Sequence, residues 1–360
     1  MTLTSSALAS TERRPRVAKK RKAPARNERA PRAPKAARPS GGARALSLAF
    51  VMDPILGLNI KGDTTFALML EAQRRGHRIY TVDPSDLGVR DARVTAKAQP
   101  VELRREVGNH ATLGPARLVG LDEEFDVVFQ RKDPPVDVAY VTATQILALC
   151  RRALVLNRPE GILAANEKLY AMHFAEVMPT TLIAREIPQF VDFMAEMGGQ
   201  MIVKPLHGKG GEGIFHVTNG DRNLFSILEQ STNFGTRWAI AQQYLPAVRR
   251  GDKRILLLDG EPLGAVLRVP AENEARSNLH VGGKATRTQL DAEDLRIVAK
   301  LRPWLQRDGL FFVGIDVIGG KLTEVNVTSP TGIQEMNALD GACYETRVIE
   351  AVEKKVAARG

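Results

Sequence analysis

The chain has 360 residues, 44% of them hydrophobic, and 51 Lys and Arg against 41 Asp and Glu give a formal charge of +10. That charge suggests a nucleic-acid partner, but residues 1–45 hold 13 Lys and Arg and two acids, leaving 38 and 39 for residues 46–360. A near-neutral body with 5% aromatics argues against a nucleic-acid-binding core, two distant cysteines exclude a disulfide framework, and no run approaches a membrane helix or a secretory signal.

Residues 1–45 are rich in Ala, Arg, Lys and Pro and read as a disordered basic tail, unable to bury enough apolar surface to offset its ordering entropy. A nucleic-acid or membrane-surface arm, a solvated extension and a start codon assigned too early are its readings, and Glu12 and Glu28 argue against an organellar presequence. Order is expected from Leu46. Residues 47–52 read as a buried strand, 63–75 as a helix closed by Gly76, and 77–82 as a second strand. This β-α-β pattern predicts a parallel, Rossmann-like α/β domain over 46–165. Residues 90–120 read as polar strands and loops, 125–130 as a strand stopped by Pro134 and Pro135, 136–150 as a helix and 153–156 as a strand.

The second domain, 166–340, reads as α+β. Asn166 is the expected N-cap of a helix running to Val177. Between the apolar runs 201–203 and 214–217 lies His207-Gly208-Lys209-Gly210-Gly211-Glu212-Gly213, a strand–loop–strand in which bare backbone N–H groups can approach an anion. It lacks the Gly-Lys-Ser/Thr and following helix of a P-loop. Glycine turns join two further strand pairs, 255–258 with 263–268 and 311–318 with 322–327. Residues 341–360 read as a C-terminal helix.

The last strand pair carries Asp316, Glu324 and Asn326, hard oxygen donors of the kind that hold Mg²⁺ beside nucleotide phosphates. Side-chain parity lets Asp316 face Glu324 only if the two pair, so a three-residue loop 319–321 is expected; a two-residue turn would separate them. Lys168, Lys204, Arg254, Arg268 and Arg276 stand in apolar or glycine-rich contexts and call for anionic partners. The six histidines show no zinc spacing.

These residues carry a family likeness. Met52-Asp53-Pro54, Arg131-Lys132-Asp133-Pro134-Pro135, Asn166-Glu167-Lys168-Leu169, Lys204-Pro205-Leu206, Gln243-Tyr244-Leu245-Pro246, Gly251-Asp252-Lys253-Arg254, Val313-Gly314-Ile315-Asp316 and Thr323-Glu324-Val325-Asn326-Val327-Thr328-Ser329-Pro330-Thr331-Gly332 occur in order. Together they resemble bacterial glutathione synthetase, of the ATP-grasp superfamily. The resemblance implies a pre-ATP-grasp domain, an ATP-grasp domain with a lid near 204–217, and a cytoplasmic ligase joining γ-glutamylcysteine to glycine through an acyl phosphate. It implies that Lys168, Lys204, Gly208, Lys209, Gly210, Gly211 and Gly213 hold ATP phosphates, that Gln243, Tyr244 and Leu245 meet adenine, and that Asp252 lies on the ribose side. Asp316, Glu324 and Asn326 would bind two Mg²⁺, with Mn²⁺ as a substitute, and Glu324 would bridge. Arg254 and Arg268 would act on the acyl phosphate and its tetrahedral successor. Asp53, Arg131, Asp133, Arg276, Ser329, Pro330, Thr331 and Gly332 would bind the peptide, and a homotetramer would be the assembly. His207, Lys209, His216, Ser277 and His280 depart from the usual motif, which bears on acceptor specificity and lid behaviour. The competing readings are an ATP-grasp ligase with another acceptor and a nucleic-acid-binding protein acting through the tail.

Overall fold

The computed structural model describes residues 44–208, 210–271 and 282–359. The expected tail 1–45 thus lies almost wholly outside the described residues, as do Lys209, Arg276, Ser277 and His280.

The first domain is built on four parallel strands in the order Arg78–Val82, Ser47–Val51, Val127–Gln130 and Leu154–Leu156. Ser47–Val51 is buried along its whole length, which is why it reads as a continuous apolar run. The helix Thr64–Arg74 starts where the Asp63 carboxylate accepts from the Phe66 N–H, and it buries Phe66, Leu68 and Met69 against the sheet. The region expected to be polar strands and loops contains an 11-residue strand, Arg93–Leu103, antiparallel to Arg78–Val82.

The second half contains two antiparallel sheets. One has the order Phe215–Thr218, Gln200–Pro205, Ala239–Gln243, Thr181–Ala184. The other runs Lys284–Arg287, Glu261–Val269, Asp252–Leu258, Phe312–Ile318, Lys321–Asn326. The helix expected from Asn166 is a 3₁₀ segment, Tyr170–Val177, broken at Phe174. Asn166 does not cap it: the N-cap is Leu169, without a side-chain hydrogen bond, and the Asn166 Oδ1 accepts from the N–H groups of Lys168 and Leu169 in the turn that leads into the segment. Tyr170, Ala171, Phe174 and Val177 are buried beneath the last sheet.

The C-terminal segment forms two helices, Ile333–Asp340 and Tyr344–Ala357. They return to the first domain: Val348, Ile349 and Val352 share a core with Phe66 and Met69. Arg75 and His77 both bind Glu353, at 2.7 and 2.8 Å, and fasten the longer helix there.

Asn157 joins the halves. Its amide donates to the carbonyls of Phe312 and Val327 and accepts from the Phe312 N–H, all at 2.7–2.9 Å and all buried. Asn157→Ala leaves three buried backbone groups without partners. At about 1–3 kcal/mol for each unsatisfied group, less relaxation, a loss of about 2–4 kcal/mol is expected in urea unfolding. A midpoint unchanged from the parent would show that water replaces the amide.

Candidate functional site

Strand register assembles the site. Asp252 pairs with Arg268, Arg254 with Asp316, Asp316 with Glu324, and Gly314 with Asn326. Paired residues and residues two apart share a face. Asp252, Arg254, Arg268, Asp316, Glu324 and Asn326 therefore project from one side of the last sheet.

The route to this register differs from the expected one. Ile318 pairs with Lys321, so the connection is a two-residue turn at Gly319-Gly320, with φ of 55° and 72°. Both residues need a left-handed backbone, which glycine supplies without strain. Such a turn alone would misalign the carboxylates. A β-bulge corrects it: Val317 pairs with Leu322, Asp316 with Glu324, and Thr323 is the extra residue. The Thr323 hydroxyl donates to the Asp316 carbonyl at 3.2 Å and holds the bulge.

Arg254 grips Asp316 with two hydrogen bonds, Nε to Oδ1 at 2.5 Å and Nη2 to Oδ2 at 2.9 Å. Arg268 reaches Asp316 at 2.9 Å and Asp252 at 2.5 Å. All four are buried. Burial alone would raise the Asp316 carboxyl, but the two guanidiniums outweigh it and hold the group far below the usual carboxylate range. Burial likewise opposes the charge on Arg268, and Asp252 and Asp316 more than restore it.

Lys168 and Lys204 reach the same face from elsewhere. Lys168 binds Glu324 at 2.8 Å and donates to the Gly208 carbonyl at 2.9 Å, linking the metal-type carboxylate to the glycine loop. Burial would lower its ammonium, but Glu324 overrides this and raises it. Lys204 differs. It is buried, its nearest partner is the neutral Gln242 amide at 3.3 Å, and burial lowers its pKa against weaker support from Glu324. A buried ammonium held by an amide is a cation awaiting an anion. Above it, a Cβ on Gly208 would come within 2.7 Å of the Pro205 ring, so the loop requires glycine there. Gly210, Gly211 and Gly213 all have positive φ.

The expected peptide residues divide. Arg131 is buried, donates from Nε to Thr65 Oγ1 and from Nη2 to the Pro330 carbonyl, both at 3.0 Å, and has no ion pair among the described residues. Arg254 Nη1 donates to the Thr331 carbonyl at 3.3 Å, and Gly332 N–H to Thr64 at 3.2 Å. The Ser329–Gly332 loop is thereby slung between the two halves. Asp53 instead braces its neighbours, accepting from the Asp133 N–H at 3.1 Å and pairing with Lys132 at 2.9 Å, while the Asp133 side chain is exposed. Asp252, expected on the ribose side, accepts from Arg268 Nη2. Gln243 is exposed at the end of its strand, and Tyr244 and Leu245 are half-buried beside it.

Residues not singled out from sequence also belong here. Glu167 Oε1 accepts from the N–H groups of Val327 and Thr328 and from the Thr328 hydroxyl, at 2.8–3.3 Å, and fixes the strand end after Asn326. Its carboxyl is pushed up by burial and by nearby Glu324. A cavity of about 360 Å³ opens beside Glu167 and Lys168, reaching Pro134, Tyr140 and His207. Only Glu167, inside the Asn-Glu-Lys run, carried any sequence signal; Gln242 and Tyr140 did not.

Asp316, Glu324 and Asn326 form an all-oxygen donor set suited to a hard divalent cation. Asn326 turns its Nδ2 to Asp316 at 3.3 Å, which leaves Oδ1 as a donor atom, and both carboxylates are now balanced by cations instead. The residues fit such an ion.

Residues 46–162 match the family model for the prokaryotic glutathione synthetase N-terminal domain, and residues 167–341 match that for the prokaryotic glutathione synthetase ATP-grasp domain. The chain is 46% identical over 314 residues to a glutathione synthetase of Agrobacterium fabrum, covering 87% of this chain and 98% of the relative. It is 44% identical over 312 residues to one of Gloeobacter violaceus, covering 85% and 96%. Among solved structures, that of a D-cycloserine synthetase superposes with a TM-score of 0.62 at 15% identity, covering 86% of this chain and 99% of that one, which speaks to the fold alone.

Proposed function

The chain belongs to the prokaryotic glutathione synthetase family and is an ATP-dependent ligase that uses a divalent metal; we propose that it joins γ-glutamylcysteine to glycine. The observation that carries the site reading is the convergence on one sheet face of two carboxylates and Asn326 with Arg254 and Arg268, met there by Lys168 and faced by Lys204.

In this reading the cysteinyl carboxylate attacks the ATP γ-phosphorus, ADP leaves, and an acyl phosphate forms. The glycine amine, after losing a proton, attacks the acyl carbon. The C–N bond forms to give a tetrahedral intermediate, whose C–O bond to phosphate then breaks, releasing phosphate. Two anions must meet in the first step, so positive charge is the main requirement. Lys204 and Lys168 supply it at the phosphates, beneath the 208–213 loop. Arg254 and Arg268 supply it where charge develops on the acyl group. Arg131, with the Ser329–Gly332 loop, orients the peptide. Asp316, Glu324 and Asn326 would hold two Mg²⁺, or Mn²⁺ in their place, which neutralise phosphate charge when bound. Binding them requires Glu324 to exchange Lys168, and Asp316 to share its guanidiniums. Gln243, Tyr244 and Leu245 are the proposed adenine contacts. A homotetramer is the proposed assembly, to be measured by sedimentation. Among the described residues no helix is long and apolar enough to cross a membrane.

The test is phosphate release with ATP, Mg²⁺ and γ-glutamylcysteine across a panel of amine acceptors. Glycine is expected to give the highest kcat/KM, with glutathione identified by mass. Turnover with a different acceptor and none with glycine would keep the ligase and overturn the acceptor. Retention of this activity on deleting residues 1–43 would show the basic tail to be dispensable for the chemistry.

A further inference from the structure

His216 is used by none of the roles above, yet register puts it in the nucleotide cleft. It pairs with Ile202, and Lys204 lies two residues along the same strand, so His216 and Lys204 share a face. The opposite face carries Met201, Val203, Val217 and Ala241, which form the apolar core under the flanking helices. His216 is outside that core. Its ring stacks on Tyr244, with centroids 4.0 Å apart and planes 13° from parallel. Its Nε2 lies 3.1 Å from Gln200 Oε1, which fixes the ring plane.

We propose that His216, stacked on Tyr244, is a positioning residue for the nucleotide base, and that ATP is held by the neutral form of its ring. This rests on the reading of Gln243–Leu245 as the base contacts. A flat, half-buried pair beside that segment offers an aromatic surface to a purine, and stacking needs no further hydrogen-bond donor. The groups facing His216 are Gln200 and, farther along the same strand, Lys204, with Tyr244 from the end of Ala239–Gln243 and Arg249 from the segment Pro246–Arg250; among the described residues it has no carboxylate partner. Burial, then repulsion from Arg249, lowers its pKa below the ordinary imidazole value. A bound base removes more water from the ring and disfavours the cation further. ATP affinity is therefore complete at neutral pH and falls as pH drops through the His216 pKa, below 6.5.

The experiment measures KM for ATP, kcat, and ATP affinity by calorimetry from pH 5.5 to 8 for the full chain, His216→Ala and His216→Phe. At pH 7.5, His216→Ala is expected to weaken ATP about three- to tenfold, the scale of one aromatic pair, with kcat and the peptide KM within twofold. His216→Phe restores the affinity and removes the acid-side difference from the parent. An unchanged ATP affinity in His216→Ala overturns the proposal, as does an acid profile in His216→Phe identical to the parent's. Equal losses in kcat and both KM values would mark a purely structural role and also overturn it. Because calorimetry reads ATP binding without turnover, failure of the glycine reaction is distinguishable from failure of this inference.

Discussion

Glu324→Gln is expected to lower glycine-dependent turnover on the order of 10³-fold or more, the cost of losing a group that organises transition-state charge. The substitution keeps shape and removes one negative charge. Glu324 is part-exposed and its contacts are polar, with Lys168 across the cleft and Asp316 across the strand pair. The amide oxygen can still accept from buried Lys168, which also keeps the Gly208 carbonyl, so the fall in Tm should be smaller than for Arg254→Ala. The proposed metal site loses one of its two carboxylates, and Lys168 loses its ion-pair partner. Mg²⁺ titration followed by phosphate release checks this: the variant should need far more Mg²⁺ and not recover at saturation. Near-parental activity at ordinary Mg²⁺ would remove Glu324 from the metal site.

Arg254→Ala is expected to act on both stability and rate. Asp316 keeps Arg268 but loses two buried, charge-assisted hydrogen bonds, and Thr331 loses its contact. Breaking a buried pair from one side costs about 3–5 kcal/mol, because an under-compensated charge stays behind. Denaturant unfolding should show this directly. Under conditions where the variant is folded, kcat should fall more than the KM for ATP rises, as for a group that acts on developing charge. Arg254→Lys separates the effects. It keeps the charge and loses the fork, so stability returns in part while kcat stays low. Equal losses in kcat and ATP affinity for both variants would reduce Arg254 to a scaffold for Asp316.

The paired state of these side chains also explains how the face is built. The cations pair with the carboxylates proposed for metal: Arg254 and Arg268 with Asp316, Lys168 with Glu324. The site is internally neutralised, which lowers the cost of burying so much charge. Lys204 is the exception: among the described residues its hydrogen bond goes to the neutral Gln242 amide and the carboxylates act on it only from farther away, so it is the cation most ready for an incoming phosphate.

Much of this was legible in the sequence because the signals are local. A buried parallel strand reads as an apolar run, as at Ser47–Val51, and the helix after it carries its own cap in Asp63 and its own stop in Gly76. The motifs carrying the family likeness needed no tertiary information. Asp316, Glu324 and Asn326 could be chosen as a set because strand parity is a local rule. What failed were quantities set by contacts from outside the segment. The Asn166 helix is a 3₁₀ segment interrupted at Phe174, and its apolar spacing, which an α-helix would also satisfy, does not distinguish the two windings. The turn at Gly319-Gly320 has two residues because a bulge at Thr323, invisible to parity counting, restores the pairing.

The sequence by itself determined the class of chemistry: glycine loop, oxygen donors, isolated cations, and a charge excess confined to residues 1–45. Only the tertiary structure decided which residues act as partners. Beside the ligand roles expected of them, it gave Asp53 and Asp252 bracing contacts with Lys132 and Arg268, and it set Glu167 against Thr328 and Gln242 against Lys204. It also stacked His216 on Tyr244. The physical reason is distance along the chain. Residue type and parity are written locally, but a charge's partner, and hence its protonation and role, is set by strands and loops tens to more than a hundred positions away, joined by hydrogen bonds such as those of Asn157 to Phe312 and Val327.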